Sequence, residues 1–183
     1  MEFFIKKLFM WIKIMQKNEK ILPSKVELLA IAQSWQVIYM QTKQSSLHLT
    51  TNLSQCVTLI GKINNQHLCI ELLRRWLKKI ANQYLPSRLM QLSHQTQLEF
   101  NTVKVRLNST RWGSCNSKKQ INLCSKLLFL PPHLLDHILL HELCHTREMN
   151  HGKKFWKLLL QFDMRGKEHV KELRLIKIPS WVI

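Results

Sequence analysis

A chain of 183 residues, 45% hydrophobic and 8% aromatic, is long enough to bury a core and short enough for one compact domain. Its formal charge of +17, from 28 Lys and Arg against 11 Asp and Glu, attracts polyanions and allows nucleic-acid contact, although the basic residues are scattered from Lys6 to Lys177 with no aromatic-interleaved stripe. Five cysteines (Cys56, Cys69, Cys115, Cys124, Cys144) are an odd number with no CxxC pair, which excludes a disulfide scaffold and fits reduced thiols in the cytoplasm.

The stretch from Phe3 to Met15 is apolar but broken by Lys6, Lys7 and Lys13. It falls short of the roughly 18 uncharged residues of a transmembrane helix, so residues 1–20 read as an amino-terminal extension. A β-rich portion over 21–65 follows: the apolar runs Val26 to Ala32, Trp35 to Met40, Leu47 to Thr51 and Cys56 to Ile60, separated by polar clusters, predict strands joined by turns.

From Gln66 the period changes. Leu68, Leu72, Trp76, Ile80 and Tyr84 recur every four residues and predict the buried face of an amphipathic helix. Pro86 should end or kink it, with Leu85, Leu89 and Leu92 forming a second piece to about His94. Val103, Val105 and Leu107 alternate as in a strand, Asn108 and Ser109 make a break, and a hairpin with arms Arg111 to Cys115 and Gln120 to Leu123 turns on the polar residues between them. Pro131 and Pro132 mark the start of a helix running to about Arg147, with Asp136 as a favourable early charge. A further helix from Lys153 to Phe162 should bury Phe155, Trp156, Leu159 and Leu160, and the tail reads as a helix with an extended end at Pro179.

The chemistry concentrates in His141-Glu142-Leu143-Cys144-His145, an HExxH pattern expected in the middle of its helix. Four residues turn a helix by about 400°, so both imidazoles leave one face. A catalytic zinc site takes three protein ligands and keeps a position for water. His151, six residues past His145, can supply the third if the chain turns back at Glu148, Met149 and Asn150, with Asn150 adopting the left-handed conformation that a glycine would otherwise provide. HExxH alone arises in roughly two per cent of shuffled chains of this composition, and a suitably placed third histidine reduces that about twentyfold. The residues therefore read as a Zn²⁺ site, with the ion acidifying a water and Glu142 as general base. His137 is an extra ligand, a supporting group, or a surface or hydrogen-bonding residue; Cys115, Cys124 and Cys144 are alternative thiolate ligands. Arg111 or a backbone N–H near Gly113 is the candidate for steadying an oxyanion.

RWGSC at Arg111 to Cys115, INL at Ile121 to Leu123, LPPHLLDHILLHELCH at Leu130 to His145 and MNHGKKFW at Met149 to Trp156 together resemble the YgjP-like metal-dependent hydrolases, a family similar in its metallopeptidase domain to SprT-like proteins. The resemblance covers Gln66 to Asp163; Leu22 to Tyr39 looks like the amino-terminal strands of one branch, and Met1 to Lys20 carries none. It implies metal ligands at His141, His145 and His151, a catalytic glutamate at Glu142, and a cleft wall built from Trp112, Gly113, Ser114 and Cys115, with Arg111 beside them. Phe155 and Trp156 would anchor the helix behind His151. Cys124 and Ser125 depart from the residues that often follow INL, and His137 stands where a Tyr is often found, which leaves fine specificity open.

The expected fold is α+β: a zincin-like metallopeptidase domain over 66–183, its HExxH helix packed on a small β-sheet, forming one unit with the β-rich portion. Three functions compete. A zinc metallopeptidase needs a long cleft for a peptide or protein substrate. A nucleotide phosphoanhydride hydrolase needs Lys and Arg near His145, and with four glycines the chain has no Gly-rich phosphate loop. A basic nucleic-acid-binding module would hold a structural zinc, usually closed by four ligands.

Overall fold

Along β1 (Lys25–Leu28) Val26 and Leu28 are buried while Lys25 and Glu27 face solvent, the alternation of a strand with one face on the core. The computed structural model describes residues 22–107 and 110–182, so the expectations for residues 1–20 and for the break at Asn108 and Ser109 lie outside the described residues. The run from Val26 to Ala32 is not one strand: a 3-10 turn at Leu29–Ile31 ends with Ala32 at φ 50° and reverses the chain into β2 (Gln33–Gln41). β3 (Leu47–Thr51) and β4 (Cys56–Gly61) complete a sheet of order β1-β2-β4-β3, with β2 and β4 parallel and the other pairs antiparallel. Gly61 closes β4 at φ 130°, and a Cβ there would fall 1.9 Å from the Ser46 carbonyl oxygen, so only glycine lets the two segments pass.

α1 is one helix, Gln66–Thr96, capped by the Asn65 side chain accepting from the Leu68 N–H. Pro86 lies inside it and does not end it. The missing proline N–H forfeits one helical hydrogen bond, and burial of Leu85, Leu89 and Leu92 on either side offsets that loss. The centre of the buried face runs through Cys69, Leu73, Leu77, Ala81, Leu85 and Leu89, one residue later than the expected line, and Leu68 is exposed. α1 touches both β3 and β5 as well as the helix that carries the HExxH pattern, so it buries an arc wider than a single line of residues.

The second sheet has order β5-β7-β6, from β5 (Thr102–Arg106), β6 (Gly113–Cys115) and β7 (Gln120–Cys124). β5 lies parallel to β7 and β6 antiparallel, which makes β6 an edge strand. α2 (Pro132–Cys144) starts with a proline at its first turn, as expected, and packs on β6 and α1. Asp136 lies beyond the first turn, where Arg88 of α1 grips both its oxygens at 2.8 and 2.6 Å. α3 (Lys153–Phe162) buries Phe155 and Leu159 fully, Trp156 and Leu160 partly, and α4 (Gly166–Leu173) returns against α2. A continuous core links Val26, Val57 and Leu59 of the first sheet to α1, α2 and α3.

Candidate metal centre

α2 ends at Cys144, and His145 caps it with helical angles. The HExxH pattern therefore occupies the last turn of the helix, not its middle. The Thr146 N–H donates to the Leu143 carbonyl and the Glu148 N–H to that of Cys144, both at 2.9 Å, which tightens the exit. None of residues 146–151 has positive φ, so Asn150 is not left-handed. The return is made by a turn at residues 145–147 and a short irregular segment after it, where the Gly152 N–H bonds the Asn150 carbonyl at 2.7 Å to set His151 just ahead of α3.

This path converges the three histidines. Their Nε2 atoms lie 3.1 Å (His141 to His145), 3.1 Å (His145 to His151) and 3.0 Å (His141 to His151) apart. His145 donates its Nδ1–H to the Glu148 carbonyl at 3.0 Å, so its Nε2 presents a lone pair to the other two. A triangle of such nitrogens, one of them an obligate acceptor, is poorly satisfied by hydrogen bonds among its members and fits a divalent cation with one position left open. Burial, then the neighbouring histidines, pushes His141 down to about 3, and burial also lowers His145, so both are neutral at ordinary pH, the form in which an imidazole could hold a metal. Phe155 forms the floor: it is fully buried, stacks on His145 at 4.6 Å and meets the rings of His141 and His151 at 4.8 Å.

Glu142 is 5% exposed, and its Oε2 is buried with no hydrogen-bond partner among the described residues. Burial raises its carboxyl to about 8, against the opposing pull of Arg111. A cleft of about 400 Å³ opens over these groups, with Arg111, Gly113, Ser114 and Cys115 as one wall and Met149 on its rim. Trp112 does not line it: its side chain packs against the core, with Lys126 6.0 Å from the ring centroid. Neither Cys115 nor Cys144 joins the histidine cluster, and burial pushes their thiols up to about 11 and about 12, so both stay protonated. Among the described residues, a larger groove of about 670 Å³ between the first sheet and α1 holds no group of three metal-ligating side chains.

Gly113 is the contact between the wall and Glu142. A Cβ there would sit 2.7 Å from Glu142 Oε1 and 2.8 Å from its Cγ, so β6 reaches the glutamate only because this residue has no side chain. Gly113→Ala is expected to displace Glu142 and lower turnover about tenfold or more, with bound metal unchanged; loss of metal instead would place the damage in the ligands.

His137 is buried and not a surface residue; its Nδ1 lies 2.6 Å from Asp163 Oδ2, and it stays outside the three-histidine group. A hydrogen-bonding role for His137 is as expected, but no local pattern names Asp163 as its partner or the Glu148 carbonyl that orients His145. One signal was present: His133, His137, His141 and His145 recur every four residues, a ladder along one face of α2.

The model of the YgjP-like family, described as a metallopeptidase domain, matches residues 4–175, a wider span than the motifs alone suggest. Among solved structures, the crystal structure of the metallopeptidase zymogen of Pyrococcus abyssi abylysin is similar at 21% identity and a TM-score of 0.43, covering 48% of this chain and 90% of that one. No curated protein matches. No helix among the described residues is long and apolar enough to cross a membrane.

Proposed function

The chain belongs to the YgjP-like family of metallopeptidase domains, and on that premise we propose that it is a zinc-dependent hydrolase of peptide bonds with Glu142 as general base. Its fold is the α+β one of a zincin-like domain, a helix bearing the HExxH pattern packed on a small sheet. His141, His145 and His151 would hold the ion; three neutral imidazoles with an open fourth position suit Zn²⁺. When bound, such an ion supplies a Lewis acid that acidifies a water and polarises a carbonyl. Glu142 is set to take the water's proton on the oxygen that lacks a partner, and to hand it to the leaving nitrogen. Arg111, whose charge already acts on Glu142, is the residue best placed to steady negative charge on the carbonyl oxygen.

The observation that carries this reading is the pairing of that partnerless carboxylate oxygen with three converging Nε2 atoms at the base of a cleft walled by a strand edge. An edge strand offers unpaired backbone groups that an extended peptide can match. A triphosphate would need several cations, and Arg111 is the one Lys or Arg among the cleft-lining residues described. Five free thiols support a reducing, cytoplasmic setting, and the shared core supports treating 21–65 and 66–183 as one unit.

The test is turnover of an unfolded protein and of a nucleoside triphosphate by the purified chain, after chelation and after return of Zn²⁺. Cleavage of the polypeptide alone, lost on chelation and restored by zinc, is expected. Hydrolysis of the triphosphate alone overturns the substrate class. No turnover of either by the zinc-loaded chain would leave a basic binding module with a structural ion.

A further inference from the structure

We propose that the chain binds a second divalent cation, a structural one, between His137, Asp163 and His169.

These side chains come from three places: the middle of α2, the residue just after α3, and α4. All are buried, with side-chain exposures of 1% for His137 and 9% for Asp163 and His169. Both imidazoles aim Nδ1 at the same atom, Asp163 Oδ2, at 2.6 Å from His137 and 3.0 Å from His169. One potential ligand atom from each residue lies within 4.8 Å of the other two, and this group and the His141, His145, His151 group are the ones so found among the described residues. A tetrahedral ion with bonds of about 2.0–2.1 Å sets its ligand atoms about 3.3 Å apart. The first cluster stands at 3.0–3.1 Å; in the second, Asp163 Oδ2 lies 2.6 and 3.0 Å from the two imidazole nitrogens, and these two edges would widen to admit an ion while the third already falls within 4.8 Å.

Two imidazoles and a carboxylate are a ligand set for zinc. Asp163 is one of just two aspartates in a chain of charge +17, and its Oδ2 is the atom on which the two histidines converge. Gly166 leaves one side of the cluster open: a Cβ there would lie 3.3 Å from Asp163 Oδ2 and 3.7 Å from His137 Cε1, in the space a water ligand would use. Next to it, His133 bonds Glu172 at 3.0 Å and its ring lies 5.3 Å from that of His169, so the ladder on α2 continues past the site.

The consequence is mechanical. α4 has eight residues, too few to be stable as a helix alone, and an ion would pin it and the end of α3 to α2. The pin falls one turn before His141, whose ring is 6.2 Å from that of His137.

The probe is Zn²⁺ alone, titrated into the full chain after chelation and removal of any purification tag, with bound zinc counted by mass spectrometry and folding followed by circular dichroism. Wild type should bind two ions per chain, His169→Gln one, the double variant His141→Gln with His145→Gln one, and the combined variant none. Wild type should also melt higher in zinc, and the double variant should keep part of that rise. One ion in wild type, kept by His169→Gln and lost in the double variant, overturns the second site while leaving the first intact. If His169→Gln fails to fold, Asp163→Asn preserves the shape while weakening the ligand, and the same count decides.

Discussion

Glu142→Gln is expected to lower kcat by roughly 10²–10⁴-fold, leaving KM and bound zinc as in the wild type. The amide has the volume of the carboxylate and keeps every contact with β6, so the wall at Gly113 stays in place. What it loses is the ability to accept a proton at Oε2, the atom that is buried without a partner. Glu142 is also outside the group of converging histidines, so metal content should not fall. Burial already disfavours the charged form of this side chain, and a neutral amide is cheaper to bury, so the variant should melt at or above the wild-type temperature. Steady-state turnover of an unfolded protein, zinc counting and a thermal melt give the three readouts. Turnover within about tenfold of wild type would move the base elsewhere, and a loss of zinc would make Glu142 a ligand.

Much of this centre was legible because helix periodicity is a strong rule. Residues four apart share a face, so His141 and His145 had to converge and Glu142 had to lie beside them. The end of α2 was not legible, since Thr146, Arg147 and Glu148 carry no stop signal. The helix stops there because His145 takes the Glu148 carbonyl and the chain must return His151 to the same point. A left-handed Asn150 would make that return, yet the chain comes back through a turn at 145–147 and an irregular segment without positive φ.

Other differences have the same tertiary origin. Pro86 forbids one hydrogen bond locally, and only the leucines packed on both sides keep α1 continuous. Trp112 sits inside the motif that builds the cleft wall, but just before β6 its large apolar side chain packs on the core, while Arg111, Gly113, Ser114 and Cys115 line the cleft. The contact of His137 with Asp163 joins residues 26 apart through the docking of α3 on α2, which no local pattern encodes.

Phe155→Ala is expected to cost about 3–5 kcal/mol of stability and to weaken zinc binding at the three histidines by roughly 10–100-fold. The ring is fully buried and meets all three imidazoles at 4.6–4.8 Å, so its removal opens a cavity directly beneath the three histidines. His151 has the most to lose: it is exposed and precedes α3, whose seat on α2 rests largely on Phe155 and Leu159. Without the floor, the three nitrogens must be gathered from a broader set of positions, and that ordering is subtracted from binding. Phe155→Leu refills most of the volume and should recover more than half of the stability, but recover affinity less well, because a branched aliphatic group cannot stack on the His145 ring. Denaturant unfolding of the zinc-free chain separates the first effect. Competition with a chromogenic chelator in the His169→Gln background, where one cluster reports, measures the second. A variant that loses stability yet binds zinc as tightly as its parent would make Phe155 a core residue and nothing more, and the placing of the histidines would then rest on the helix ends and the Glu148 carbonyl alone.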